Sequence, residues 1–546
     1  MLRWALTIYK GKWWKEENVK KGCLSMDRAE FLENIIEFKK NHRFLPHILA
    51  LIVLLAYGGR IIHDNIFVDS ELMMLRPYHM QKIWLGSNRF GLVLTSRLFG
   101  MGRLIPWLSA FLMALMMWGC GMALSFCAWV WSGKNKHYRS FCYLFPLLYV
   151  TAPVFAGQYL FILQAFEISF GLLLCILAAF CVGNFVYHKG WWWLVLGLGL
   201  MIWGFGSYQA MIPFYISLVL GSFLLVYINA GRASEAFGWG IKHCMIFVAG
   251  IVLYGGIAAA IKWIIGSESA YVSNLIHWKS DGWRMCLQNI WLDLVRVFRA
   301  KDVYFHHFYL PSMLLFLLQM TLQGWKKKAG YMDYACFLLG NALMCLSPFF
   351  LTLIIGYFQQ ARGQLVYPLT SAFFLAYLTV WPQTGFKTEF GKRWRISVFT
   401  VMTAACVFLT SRNALVTAQL FETAWEAYRN DVLTANRLYS DICQAANRSD
   451  MENCQVIFTG RRDAGVRGPA TFGELSGLSF YEVEAWAPMG STGRILGMFS
   501  LLGMDVLELY PALYDEAVYF MKDAPDWPAQ GSIREMGDYI VVRLSE

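Results

Sequence analysis

The 546-residue chain is 57% hydrophobic and only 15% charged, with 23 Trp, 41 Phe and a formal net charge of +11. That balance excludes a soluble protein with a mostly polar surface and fits a polytopic α-helical membrane protein. The positive excess lies in short loops between apolar runs, so it points to a lipid bilayer as partner and to no nucleic acid.

Residues 1–43 form a basic head. Lys10, Lys12, Lys15, Lys20, Lys21, Arg28, Lys39, Lys40 and Arg43 are mixed there with Trp4, Trp13, Trp14, Phe31, Leu32, Ile35, Ile36 and Phe38. Such a mixture suits an interfacial amphipathic helix or an ordinary cytoplasmic extension. No cleavable signal peptide is expected, because the basic stretch runs on before any apolar core begins.

The membrane body, 44–411, follows. Its apolar runs are long enough to cross a hydrocarbon core of ~30 Å as helices, and we expect about eleven spans. They lie near 45–62, 104–131, 140–155, 162–186, 191–207, 210–228, 243–265, 308–323, 332–355, 365–382 and 396–411. Cytoplasmic loops retain Lys and Arg. Counting from a cytoplasmic head puts Lys134, Lys136, Arg139, Lys189, Arg232, Lys242, Lys326, Lys327, Lys328, Lys387, Lys392, Arg393 and Arg395 on the inside. The expected protein is a multi-pass protein of the plasma membrane, with the N-terminus cytoplasmic and the tail, 412–546, outside.

That tail reads as a small α/β domain: a helix over 417–446, a strand over 454–458 closed by Gly460, short helices over 495–502 and 513–521, and a hairpin ending in a strand over 539–543. Most of the 13 cysteines fall inside apolar runs, where they serve as small hydrophobes. Cys443 and Cys454 are close together in the outer tail, where a bridge is permitted. No phosphate loop, dinucleotide fingerprint or G-x-S-x-G elbow is present, and no inner loop is large enough for a nucleotide-binding domain.

Chemistry is therefore expected on the outer face, in loops 62–103, 266–307 and 356–364. The first is the richest: His63, Asp64, Asp69 and Glu71 precede Arg76, His79, Lys82, Trp84, Arg89, Arg97 and Arg103. Carboxylates beside cations suit a reaction in which one carboxylate takes a proton from a hydroxyl while the cations stabilise a departing phosphate. Salt bridging within an outer loop would use the same residues.

The run Gly59-Arg60-Ile61-Ile62-His63-Asp64-Asn65 through Val68-Asp69-Ser70-Glu71, and then Trp84-Leu85-Gly86-Ser87-Asn88-Arg89-Phe90-Gly91-Leu92-Val93, resembles the first outer loop of GtrII-type membrane glucosyltransferases. The pattern there is H-D-x-I-x-x-D-x-E followed by W-x-x-x-x-R-F-G-L-V. Ser207-Tyr208-Gln209-Ala210 also resembles the family. The resemblance implies a GT-C-like architecture, a polyprenyl-phosphate-linked sugar as donor, an acidic catalytic group in the first outer loop and a cell-surface glycan as acceptor. It also implies a small flippase and a donor-synthesising glycosyltransferase as partners.

On this reading Asp69 or Asp64 is the base and Glu71 positions the acceptor or shares the role. Asp69 and Glu71 face one side in extended backbone, whereas Asp64 and Glu71 do so on a helix. Arg89 is the first candidate for the donor phosphate, since resemblance and charge agree on it and its planar fork suits bidentate contact. Arg60, Arg97, Arg362 and His63 are further donor-phosphate candidates. Trp84, Tyr208 and Gln209 are candidates for sugar contact, although with so many tryptophans an interfacial anchor is the preferred reading of Trp84. No metal ligand set is assigned; His306-His307 splits in direction, and Mg or Mn would suit Asp64, Asp69 and Glu71 as hard ligands. The competing reading is a transporter or flippase of lipid-linked sugars, for which Glu167 and Lys262 are the notable charges in apolar runs.

Overall fold

The computed structural model describes residues 28–188, 190–229, 233–266, 276–327, 330–380, 389–448, 451–467, 469–484, 489–504, 506–507, 511–537 and 539–545. Trp4, Trp13, Trp14, Lys10, Lys12, Lys15, Lys20, Lys21, Lys189, Arg232, Lys328 and Lys387, on which part of the expected topology rests, lie outside them.

The chain is mostly helical. α1 (Arg28–Asn41) leads into α2 (Leu45–Ile62), and the loop over 62–103 then folds into three short helices, α3 (Ser70–Leu75), α4 (Pro77–Gly86) and α5 (Phe90–Leu98). Pro46, Pro77 and Pro106 all sit in first turns, where a missing N–H costs nothing. Arg76 breaks the path between α3 and α4 because the residue before a proline is pushed out of the helical region.

The body continues with α6 (Pro106–Trp131), α7 (Arg139–Val150), α8 (Val154–Tyr159), α9 (Ala165–His188), α10 (Trp191–Ser207), α11 (Met211–Asn229) and α12 (Ala233–Ile265). After them come α13 (Trp283–Phe298), α14 (Tyr309–Lys326), α15 (Tyr331–Leu346), α16 (Phe350–Ile355), α17 (Val366–Tyr377) and α18 (Glu389–Ala445). Among the described residues, seven helical stretches are long and apolar enough to cross a membrane: Leu45–Ile62, Pro106–Trp131, Ile162–Val186, Met211–Asn229, Ser234–Ile265, Tyr331–Ile355 and Arg393–Ala445. Trp191–Ser207 and Val366–Tyr377 are shorter apolar helices. The most apolar window of Ile162–Val186 is 83% buried and that of Ser234–Ile265 only 11%. α9 is thus the axis of the bundle, packed on α6, α10, α11 and α12, while α12 lies at its rim.

Two sequence expectations are corrected in this region. The run 140–155 is not one straight helix: Pro146 lies inside α7, and the chain breaks at 151–153 before α8 starts. The division at 411–412 falls inside α18, a single 57-residue helix. Residues 412–445 change from apolar to polar yet contain neither Gly nor Pro, so nothing there ends the helix. Thr417 of α18 donates a hydrogen bond to the Thr151 carbonyl at 3.0 Å, fixing the helix against the end of α7.

Beyond α18 the tail holds β1 (Met451–Thr459), α19 (Thr492–Leu501), β2 (Val506–Leu507), α20 (Tyr514–Phe520), β3 (Ile533–Met536) and β4 (Tyr539–Arg543). The sheet order is β2-β1-β4-β3. β1 pairs in parallel with both β2 and β4, and β3 with β4 forms the antiparallel hairpin expected at the chain's end. Val456, Ile457 and Phe458 are fully buried, as fits a strand covered on both faces. Cys443 and Cys454 do not form the bridge their spacing suggested.

α19 is fixed to the sheet by one hydroxyl. Thr492 Oγ1 accepts from the Phe458 N–H at 3.1 Å and donates to the Phe458 carbonyl at 2.9 Å. Thr492→Val keeps the shape and leaves both groups unsatisfied, so it is expected to destabilise the tail by about 1–3 kcal/mol. Limited proteolysis of the purified protein at rising temperature reads this directly; a cleavage midpoint equal to wild type would show that α19 does not depend on the bond.

Candidate functional site

The loop over 62–103 brings two of its three carboxylates together, and it does so through a residue of the tail. Arg494, on α19, reaches Asp69 Oδ1 at 2.7 Å and Glu71 Oε1 at 2.6 Å with the same Nη1. Arg494 is 6% exposed and Glu71 4%. Asp69 caps α3 in the left-handed region at φ 71°, uncommon for a residue with a Cβ. Asp69 and Glu71 therefore meet across a turn and not along a strand or a helix. Gly497 permits the approach: a Cβ there would stand 2.8 Å from Glu71 Cγ.

Charge in this buried place is strongly coupled. Burial pushes the Glu71 carboxyl up, with Arg494 pulling the other way. Burial also works against the Arg494 charge, but Asp69 and Glu71 together outweigh it and hold its pKa above the ordinary value. Glu71 Oε2 and Arg494 Nε are buried without a hydrogen-bond partner.

Asp64 is exposed and separate from this pair, lying within electrostatic reach of Arg60 and Tyr428. Arg60 is 2% exposed; its Nη1 donates to the Asn65 carbonyl at 2.9 Å and to Asn65 Oδ1, folding the loop back over the end of α2. Arg60 Nε and Nη2 are buried without hydrogen bonds. His63 stacks on Trp425 of α18, ring centroids 4.8 Å apart, with Nδ1 3.5 Å from Glu422.

Arg89 forms a second centre with the other motif. Its Nε donates to Gln209 Oε1 at 3.3 Å, its guanidinium lies 4.9 Å from the centroid of the Tyr208 ring, and Gln209 Nε2 donates to the Ser87 carbonyl at 2.7 Å. This meeting depends on two glycines. A Cβ on Gly91 would stand 2.5 Å from the Trp203 carbonyl oxygen and 2.6 Å from Ser207 N, and one on Gly206 would stand 2.7 Å from the Phe90 ring. Only hydrogens allow α5 and α10 to touch, and that contact sets Arg89 over Tyr208 and Gln209.

The remaining candidates divide. Trp84 is 3% exposed and packs in the core, so it is neither an open stacking platform nor an interfacial anchor. Arg97 is used within the loop, donating to Gln81 Oε1 at 3.2 Å. Arg362 lies 4.9 Å over the Phe161 ring, and Phe161 packs edge-on against Phe67, two residues before Asp69. His306 turns inward, 2.7 Å from Ser371 Oγ, while His307 is exposed, so the two do not share a site. Among the described residues no three His, Cys, Asp or Glu side chains form a group that could hold a metal ion.

The tail also holds two further loops. Glu474 Oε2 accepts from the Ala361 N–H at 2.6 Å and lies 3.6 Å from Arg296 Nη2, while the Glu474 N–H donates to Tyr304 O–H at 2.9 Å. Loops 266–307 and 356–364 and the tail thus share one polar junction. Sequence reasoning missed Arg494 and Glu474. They lie in a stretch without motif, and the only local signal is the glycine spacing of Gly490, Gly493 and Gly497 around Ser491-Thr492.

A family model described as Glucosyl transferase GtrII matches residues 58–380, which include the loop over 62–103, Arg89, Tyr208, Gln209 and Arg362. No curated protein and no solved structure matches the chain.

If Arg494 neutralises the acidic pair, Arg494→Met strands a buried carboxylate, with an expected cost of about 3–5 kcal/mol. Adding Glu71→Gln should recover part of that loss. A double-variant cycle of thermal unfolding in detergent measures the coupling, and strictly additive single effects would show that the contact carries no energy of its own.

Proposed function

The chain belongs to the GtrII glucosyl transferase family and is a glycosyltransferase, and on that premise we propose that it moves a glucosyl group from a polyprenyl-phosphate donor to a cell-surface glycan at the outer face of the membrane. The observation that carries this reading is the pairing of Asp69 and Glu71 on one turn of the first loop, in the matched region that also sets Arg89 over Tyr208. In this reading the seven long apolar stretches, with α7, α10, α14 and α17, make about eleven spans. The head lies inside, and the acidic loop, α13 and the tail lie outside. The placement of Lys and Arg in the alternate loops supports that orientation.

A lipid-linked donor presents its sugar at the membrane surface, so the chain needs no nucleotide fold. The proposed step is a single displacement. Asp69 takes the proton of an acceptor hydroxyl, the oxygen forms its bond to the anomeric carbon, and the bond from that carbon to the phosphate oxygen breaks. The electron pair leaves on the polyprenyl phosphate, whose charge Arg89 stabilises. One displacement inverts the anomeric configuration. Asp69 is preferred to Glu71 as base because it is the more exposed of the two. Arg494 aims it, and Glu71 shares that cation. Asp64, exposed near Arg60, is the alternative base. Gln209 and Tyr208 hold Arg89, and in this reading Arg362 belongs to the acceptor side, where Phe161 and Phe67 connect it to the acidic turn.

The test is glucosyl transfer from synthetic polyprenyl-phosphate glucose to cell-envelope glycan, in membranes matched for protein level. Asp69→Asn is expected to lower kcat by about 10²–10⁴-fold, the usual worth of a general base. Arg89→Ala should lower kcat/KM for the donor, and Asp64→Asn should leave most of the rate. A collapse in Asp64→Asn with activity kept in Asp69→Asn would move the base to Asp64, and full activity in both would reject the acidic turn as the reacting site.

A further inference from the structure

At the rim of the bundle, α12 and the turn before α5 enclose a cleft of about 530 Å³ lined by Asn88, Tyr254, Gly255, Ala258, Ala259, Lys262, Trp263 and Gly266. Gly255, Ala258 and Ala259 are followed by Lys262 at helical spacing, so one stripe of α12 offers a shallow apolar floor ending in an ammonium group. A Cβ on Gly255 would meet nothing within 4 Å. The opposite wall is Asn88, left-handed at φ 63°, whose carbonyl accepts from Tyr254 O–H at 3.3 Å and whose Oδ1 is buried without a partner. The next residue is Arg89. The outward side of α12 is apolar and open, with Val252, Trp263 and Ile264 exposed, which is the surface a bilayer would cover.

Resting on the lipid-linked-donor reading above, we propose that this cleft is the lateral docking site for the phosphate end of a polyprenyl phosphate. Lys262 contacts the phosphate, the small-residue stripe takes the first isoprene units, and Asn88 accepts from a sugar hydroxyl. The chemistry fits an anionic amphiphile: a cation at the membrane boundary, an apolar slot open to lipid, and an unmatched acceptor beside the arginine assigned to the leaving phosphate. Lys262 is then a second phosphate contact, reached from the membrane side, with Arg89 on the reacting side.

The experiment titrates decaprenyl phosphate into the full chain in nanodiscs, for wild type, Lys262→Gln, Ala259→Trp and Lys242→Gln as a control at the other end of α12. Lys262→Gln is expected to weaken binding about tenfold, as for one charge-assisted contact. Ala259→Trp should block it, Lys242→Gln should match wild type, and inorganic phosphate should not compete. In transfer assays Lys262→Gln should raise the donor KM with kcat nearly unchanged. Wild-type binding with both cleft variants equal to it would overturn the cleft and leave the donor reading intact. Competition by inorganic phosphate as strong as by the lipid would overturn lipid docking. No binding of decaprenyl phosphate by wild type would overturn the donor reading, and the cleft proposal with it.

Discussion

The contact of Arg494 with Asp69 and Glu71 is the constraint on which the junction of loop and tail depends. Burial, and after it the neighbouring Asp69 charge, push the Glu71 carboxyl towards protonation. The Arg494 guanidinium, in contact with both carboxylates, pulls the Glu71 carboxyl the other way. The arrangement has two structural costs. Asp69 must adopt a left-handed backbone, worth about 1–2 kcal/mol for a residue with a Cβ. Position 497 must also stay glycine so that α19 can press on Glu71. Strain and a forced glycine at one contact indicate a geometry set for the side chains and not for the fold alone.

The same contact changes what the tail is. The sequence places no candidate site residue in it, yet it is fastened to the membrane body at several charged points. Arg494 holds the acidic turn, and Glu474 joins Arg296 and the Ala361 N–H. Asp431 of α18 accepts from Ser479 Oγ at 2.6 Å and from the Phe480 N–H at 2.8 Å. α18 supplies the lever for this, since one unbroken helix carries the chain from the bundle to the sheet and fixes the height at which α19 meets α3.

Local signals were legible in the sequence and long-range ones were not. The β-branched run at 454–458 and the run at 539–543 read as strands and are strands, because alternation and propensity act within a few residues. The boundary at 411–412 was misplaced because composition marks where lipid would end, whereas a helix ends only at a breaker or a cap. Trp84 was misread for a related reason: aromatic identity says little about exposure, and its burial comes from the fold of α4 and α5 against the bundle. Arg494 lies 423 positions from Glu71, and no periodicity reaches that far.

The two sequence motifs are one structural unit, and much of their content is packing. In W-x-x-x-x-R-F-G-L-V, Trp84 is core and Gly91 is the contact with α10, which leaves Arg89 as the charged side chain of the motif. In the second motif, Tyr208 and Gln209 serve to hold that arginine. The family match spans residues 58–380 and so contains this whole unit, which we assign to the donor phosphate. The acidic turn also lies within the match, but the cation that completes it comes from residue 494, outside. The half assigned to the leaving group is therefore built entirely from the matched region, while the half assigned to the acceptor is completed by the tail. On the assignment proposed above, changes in the tail act on the aim of Asp69 without touching Arg89, which would give acceptor selection a structural route separate from donor binding.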